Sequence, residues 1–173
     1  MTNARILIVY FSDSGNTKVA AEHLGQQLGA TLERLAAPGL GRLGFSGAIK
    51  RVWTTLRSQP VKLATPHEDP DGYDAVILAG PVWTGRPASP LISYLKQMHG
   101  RLGTLGFVVT YGSSGGEATL NTLRQLARAP DAPAIALPEK DRKSGRQTER
   151  LNSFAADLRS LWLTQQPANV NTA

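Results

Sequence analysis

The chain has 173 residues, a length that suits one domain with a proper hydrophobic core. Its 41% hydrophobic content is that of an ordinary globular protein, and its formal net charge is +6. It contains no cysteine, which excludes disulfides, thiolate catalysis and cysteine metal sites.

Targeting and metal signals are weak throughout the sequence. The apolar run over 6–11 is too short for the core of a signal peptide, and no window approaches the roughly 18 apolar residues of a membrane span. We therefore expect a cytoplasmic protein without a membrane span. The three histidines, His23, His67 and His99, lack the paired spacing of metal ligands, so we expect no metal site.

The first predicted elements are a strand over 5–11 and a helix over 17–28 with apolar residues at helical spacing. The loop between them has the sequence Ser12-Asp13-Ser14-Gly15-Asn16-Thr17. Such a turn offers backbone N–H groups and a helix N-terminus to a phosphate. It lacks the Gly-Lys-Ser/Thr ending of a nucleotide P-loop and the three-glycine dinucleotide fingerprint. We predict that hydroxyl and N–H groups hold a phosphate here; the alternative is an ordinary turn capped by serine.

Strand and helix patterns continue to alternate along the chain. Strands are predicted over 31–36, 74–80, 106–111 and 132–137, and helices over 46–58, 88–98, 116–129 and 148–163. This alternation predicts an α/β fold, a parallel sheet covered on both faces in a three-layer αβα sandwich. We expect one domain over 1–164 and a frayed polar tail over 165–173.

Two more loops follow predicted strands and precede predicted helices. The first is Pro81-Val82-Trp83-Thr84-Gly85-Arg86-Pro87-Ala88-Ser89-Pro90, and the second is Tyr111-Gly112-Ser113-Ser114-Gly115-Gly116. Together with the Ser/Thr-rich first loop they resemble, in the right order, the three flavin loops of the flavodoxin-like FMN-binding family. That family includes flavodoxins and NAD(P)H:quinone oxidoreductase-type flavoproteins, and the resemblance covers about residues 5–163.

The resemblance implies a five-stranded parallel sheet of order 2-1-3-4-5 with FMN at the carboxyl ends of strands 1, 3 and 4. The first loop would hold the phosphate, Gly85 would approach the flavin N5, and the third loop would donate N–H groups to the pyrimidine edge. Tyr111 would close over the dimethylbenzene edge or the ribityl chain. The implied cofactor residues are Ser12, Asp13, Ser14, Gly15, Asn16, Thr17, Pro81, Val82, Trp83, Thr84, Gly85, Tyr111, Gly112, Ser113, Ser114 and Gly115; no catalytic residue is assigned.

Trp83 is the candidate to stack on the isoalloxazine, because no helical or strand period accounts for a Trp at this place. The alternative is a structural lid over the end of the sheet. Trp53 and Trp162 lie in helical patterns, and we expect core or interface positions for both. The sequence leaves open whether Arg86 lies near the ring or caps its loop.

Basic residues cluster in two segments. Residues 38–62 contain five cations and no acid, and residues 140–150 contain five cations against two acids. Electron-carrier flavodoxins are typically acidic, so the chain departs from that pattern. The segments would suit an acidic partner or an anionic substrate, or form a solvated basic face. No nucleic-acid module accompanies them, so we expect no nucleic-acid partner.

Two functions fit the resemblance. The first is a two-electron oxidoreductase that takes hydride from NAD(P)H and reduces a quinone or similar small acceptor, with its pocket often completed by a second subunit of a homo-oligomer. The second is a single-electron carrier between partner proteins. A phosphoacceptor receiver domain is excluded, because its third strand would end in Asp whereas this one ends in Leu78-Ala79-Gly80. A flavin-free interaction module is disfavoured, since none of the three loops is degraded.

Overall fold

The computed structural model describes residues 4–38 and 61–164. The predicted helix over 46–58, Trp53, most of the basic segment 38–62 and the tail 165–173 lie outside the described residues. Among the described residues, no helix is both long and apolar enough to cross a bilayer.

Five strands form a parallel sheet in the order β2-β1-β3-β5-β6. They are β1 (Ile6–Tyr10), β2 (Thr31–Arg34), β3 (Ala75–Trp83), β5 (Thr104–Tyr111) and β6 (Ala134–Pro138). A short antiparallel strand, β4 (Arg86–Pro87), pairs with the end of β3. The parallel strands, counted along the chain, have the order 2-1-3-4-5, which confirms the predicted α/β sandwich and its topology.

Helices cover both faces of the sheet. They are α1 (Asn16–Leu28), α2 (Ser89–Gln97), α3 (Gly116–Ala127), α4 (Glu139–Lys143) and α5 (Arg146–Thr164), and a 3-10 turn spans Pro70–Gly72. Successive residues of β1 point to opposite faces, as in any strand. Leu7 and Val9 join the core beneath α2 and α3, while Ile6, Ile8 and Tyr10 join the core beneath α1 and α5. Trp162 is buried in the second of these cores, as predicted.

The prediction that the third strand ends at residue 80 and that a loop follows it is wrong. Strand β3 continues through Pro81 to Trp83, and the chain folds back through Thr84 and Gly85 as a two-residue hairpin. Both turn residues have positive φ, 43° for Thr84 and 75° for Gly85, the signature of the type I′ turn that suits the twist of paired strands. Thr is not a residue that favours this conformation, so the local sequence gave no hairpin signal.

The short helix α4 was not predicted from the sequence. It has five residues, all charged, and no apolar period that would mark a helix. Its Glu139 lies 3.0 Å from Lys143 Nζ, an i,i+4 pair along the helix. Its Asp141 is buried and lies 2.6 Å from Arg150 Nη1 and 3.1 Å from Arg146 Nη2, so an ion cluster joins α4 to α5.

Candidate functional site

The site predicted from the sequence lies where the winding of the sheet reverses. Strand β1 has β2 on one side and β3 on the other, and the chain then continues outward through β5 and β6. The register aligns Tyr10 with Ala79 and Pro81 with Thr110, so β1, β3 and β5 all finish at the same edge. In open parallel sheets this carboxyl edge, at the switch point, is where ligands bind. We call it the carboxyl edge.

The first loop is hydrogen-bonded to the sheet at its start and to helix α1 across its length. Phe11 N–H donates to the Ala79 carbonyl at 3.0 Å, and the Ser12 hydroxyl accepts a hydrogen bond from Lys18 N–H at 3.2 Å. The N-cap of α1 is Gly15, with φ 93° and open space where a Cβ would stand. Because glycine has no side chain to cap the helix, the amides of the first turn of α1 other than that of Lys18 receive no cap from Gly15 and are suited to an anion.

Thr17 is placed differently from its neighbours in this loop. Its side chain is 1% exposed, and its Oγ1 lies 2.7 Å from Oγ1 of Thr110 near the end of β5. This buried hydroxyl pair joins the first turn of α1 to the strand that carries the third loop. The hydroxyl of Thr17 is therefore a tie within this structure, and its contact with a ligand stays a prediction.

The hairpin over 82–87 carries the second loop. Val82 pairs with Pro87 and Trp83 with Arg86, and Ala88 N–H donates to the Pro81 carbonyl at 3.2 Å. Trp83 is half-buried and packs edge-to-face on Phe11, with ring centroids 5.5 Å apart at 89°. This contact brings the first and second loops together and fixes the plane of the indole.

The third loop contacts the hairpin through two glycines, which approach each other by their backbone atoms. Gly115 has φ 90°, and a Cβ added there would stand 2.7 Å from the Cα of Gly85. A Cβ on the next residue, Gly116, would stand 2.6 Å from Cε1 of Tyr111. The Tyr111 ring therefore packs over the start of α3, while Gly112, Ser113 and Ser114 are exposed.

The three loops thus lie at one edge, where the second loop contacts both of the others and the first is tied to the strand that carries the third. No family model and no curated protein matches the chain. Solved structures do match it, and three of them are 21%, 19% and 9% identical to it. A flavoprotein in complex with FMN from Lactobacillus acidophilus NCFM is 21% identical, with 84% of this chain and 99% of that chain covered and a TM-score of 0.60.

Two further structures share the architecture over almost the whole chain. The flavodoxin, WrbA-like protein from Agrobacterium tumefaciens is 19% identical, with 94% and 99% of the two chains covered and a TM-score of 0.64. The Fusobacterium nucleatum flavodoxin bound to flavin mononucleotide is 9% identical, with 91% and 98% covered and a TM-score of 0.59. The chain has the flavodoxin-like fold.

The carboxyl edge of this flavodoxin-like fold also carries charged residues. Lys18 is exposed, and its Nζ lies 3.6 Å from Oε1 of Glu22. Asp13, Arg86 and Glu117 are also exposed around the loops. Glu117 lies in the first turn of α3, where its charge complements the helix dipole. The basic segment 140–150 begins beside the third loop, because Pro138 at the end of β6 pairs with Tyr111.

The resolved pKa shifts belong to groups away from the three loops. Burial raises the pKa of Tyr94 to about 12, and a hydrogen bond to Glu68 raises the pKa of Tyr73. The backbone N–H of Asp71 lowers the pKa of Asp69, and hydrogen bonds to Asp71 and Asp69 raise that of Arg101. Across the described residues, no group of three or more His, Asp or Glu side chains is arranged to hold a metal.

Two residues that shape this site were missed by the sequence analysis. Phe11 packs edge-to-face against Trp83. Thr110 forms a hydrogen bond with Thr17, from which it is 93 residues distant in sequence. Phe11 was predicted only as the last residue of a strand, and Thr110 lies inside a strand pattern. The one signal available for Thr110 was that it is a polar residue within the otherwise apolar strand over 107–111.

Proposed function

We propose that this chain binds FMN at the carboxyl edge and works as a redox protein. The observation that carries the proposal is the convergence of the three loops at the switch point of a flavodoxin-like sheet. Two of the structural neighbours named above were solved with FMN bound, which supports this choice of ligand. The cofactor would supply reversible electron and hydride transfer.

The first loop suits a terminal phosphate. Its donors are the hydroxyls of Ser12 and Ser14, the side chain of Asn16, and the backbone N–H groups that surround Gly15. The Ser12 hydroxyl accepts from Lys18 N–H, and a hydroxyl that accepts a hydrogen bond still has its own proton to donate. Lys18, the cation in the first turn of α1, is exposed and pairs with Glu22, so hydrogen bonds rather than this counter-charge would hold the phosphate.

The hairpin and the third loop would hold the isoalloxazine. Trp83 would offer its indole face, with its plane set by Phe11, and Gly85 would bring a backbone N–H toward N5. The exposed backbone of 112–114 would donate N–H groups to the pyrimidine edge, where they stabilise negative charge on a reduced ring. The remaining members of the proposed set, Asp13, Thr17, Pro81, Val82, Thr84, Tyr111 and Gly115, would shape the walls.

We further propose that the protein is a two-electron oxidoreductase that takes hydride from NAD(P)H and reduces a quinone or similar small acceptor. The +6 charge of the chain supports this choice, because a positive field favours an anionic donor and an anionic reduced ring. The alternative is a single-electron carrier, which the exposed hairpin tip over 84–86 would also suit.

Anaerobic titration of the FMN-loaded protein with NADH and NADPH tests the proposal. An oxidoreductase should lose its flavin absorbance on addition of either nucleotide and recover it on addition of a quinone. A carrier would keep its absorbance until a separate reductase was added. Protein that shows no flavin bands after incubation with FMN and gel filtration would contradict both functions.

A further inference from the structure

The backbone contact between the hairpin and the third loop has a consequence for the proposed cofactor. We propose that Gly115 is a positioning residue, which sets the place of the hairpin tip and thereby the affinity and the redox potential of the flavin. This inference rests on the proposed FMN function. It concerns a contact between two glycines in different loops, one in the turn of the hairpin and one at the start of α3.

The space at Gly115 is closed by the hairpin, mainly by backbone atoms and not by the end of a long side chain. A Cβ there would stand 2.7 Å from the Cα of Gly85, 3.5 Å from its N and 3.3 Å from Cγ1 of Val82. Two of these three neighbours are backbone atoms of the turn residue whose N–H is proposed to face the flavin. Any side chain at 115 must therefore push the hairpin tip away from the third loop.

Gly115 is itself held from the other side. The next residue, Gly116, lies beneath the Tyr111 ring and beside Ala136, where a Cβ would stand 2.9 Å from the Ala136 Cβ. Since Tyr111 pairs with Pro138 across the sheet, the start of α3 is fixed to β5 and β6. The hairpin thus packs against Gly115, and the position of Gly115 is itself fixed by the contacts of the start of α3 with the sheet.

The hairpin needs such a support. Its turn residue Thr84 has φ 43°, a left-handed conformation that is costly for a β-branched residue and persists only where neighbouring structure holds it. Its partner strand β4 has two residues, so little pairing holds the tip. Contact with Gly115 supplies the missing restraint.

The test compares Gly115→Ala with Gly100→Ala. Gly100 has a similar positive φ, 82° against 90°, but a Cβ there meets no atom within 4 Å. It precedes β5, at the edge opposite the loops, so Gly100→Ala gives the backbone strain alone. Gly115→Asn is a second variant, because Asn tolerates positive φ better than Ala while it still places a Cβ against Gly85.

We expect both Gly115 variants to bind FMN about tenfold or more weakly and to shift the flavin midpoint potential, while Gly100→Ala matches the wild type in both. Riboflavin should weaken by the same factor as FMN, because the displaced wall faces the ring and not the phosphate. A folded Gly115→Asn or Gly115→Ala protein with wild-type affinity and potential would overturn the inference alone. A wild-type protein that binds neither flavin would overturn the proposed function as well.

Discussion

The two edges of the sheet are built from different chemistry. At the edge where β1, β3 and β5 begin, which we call the amino edge, charged side chains satisfy one another. Arg101 Nη2 lies 2.7 Å from both Asp69 and Asp71, and Asp74 accepts a hydrogen bond from the backbone N–H of Arg5 at 2.7 Å. At the carboxyl edge, glycines with positive φ start both helices that follow β1 and β5.

This difference separates an edge of paired charges from an edge of hydroxyl and backbone groups. The carboxylates of Asp69 and Asp71 and the guanidinium of Arg101 are paired with one another at the amino edge, so they are less available to a ligand. The carboxyl edge presents hydroxyls, backbone N–H groups and an aromatic ring, which suit a phosphate joined to a flat ring system. A cleft of about 620 Å³ lies at the amino edge, beside Arg5, Glu68 and Tyr73, so the presence of a cleft alone does not identify the ligand-binding edge.

The largest expected effect is that of Trp83→Ala. Loss of a stacked indole should weaken FMN by about 2 kcal/mol, or roughly thirtyfold in Kd, and Trp83→Phe should lose less. Flavin fluorescence quenching in an equilibrium titration gives the affinities. Because Trp53 and Trp162 also emit, quenching of Trp83 by bound flavin must be judged by comparing the protein emission of the wild type with that of Trp83→Phe. Unchanged affinity and an unchanged flavin spectrum would leave Trp83 as a structural lid.

Much of this edge follows from local sequence, and the rest depends on contacts between distant segments. The buried strands are visible as short apolar runs, and the loop chemistry is visible in Ser12, Gly15 and Thr17. The hairpin is not, because Thr84 adopts its left-handed φ against its own preference and only the fold brings Gly115 against Gly85. Pairings over such separations leave no local pattern to read.

Ser12→Ala should distinguish binding of the FMN phosphate from binding of the flavin ring. Losing one hydrogen bond to a charged group costs about 1.5 kcal/mol, so FMN should bind about tenfold more weakly. Riboflavin, which lacks the phosphate, should bind as it does to the wild type. Parallel titrations with the two flavins measure the ratio, and Ser153→Ala, at an exposed serine of α5, is the matched control. Equal losses for both flavins would place Ser12 away from the phosphate.

Arg101→Gln tests whether the ion pairs of the amino edge are independent of the carboxyl edge. The Arg101 side chain is 43% exposed and its two partners more so, and such ion pairs contribute at most about 1 kcal/mol. We expect a loss of that size or smaller in urea unfolding, reduced further by added salt. FMN affinity and midpoint potential should not change. A shift in either would show that the two edges are coupled through the sheet.

The smallest expected effect at neutral pH is that of Tyr94→Phe, a change in the core beneath α2. The Tyr94 hydroxyl is fully buried and has no hydrogen-bond partner in the described part of the chain. Removing it should leave the free energy of unfolding unchanged or raise it by up to about 1 kcal/mol, because a buried unpaired hydroxyl is a cost to the fold. A loss above about 1.5 kcal/mol would mean that this hydroxyl is satisfied in solution.

The same variant should differ from the wild type at alkaline pH. Burial raises the pKa of Tyr94 to about 12, with a further increase from the charge of Glu33, while an unfolded tyrosine titrates near 10. The folded state therefore favours the neutral phenol over the phenolate. The stability that depends on the phenol staying neutral is complete below pH 10 and is lost as the pH rises toward 12. Urea unfolding at pH 9 and pH 11 should show a steeper fall for the wild type than for Tyr94→Phe. Equal slopes would mean that the phenol ionises as easily in the fold as in the unfolded chain.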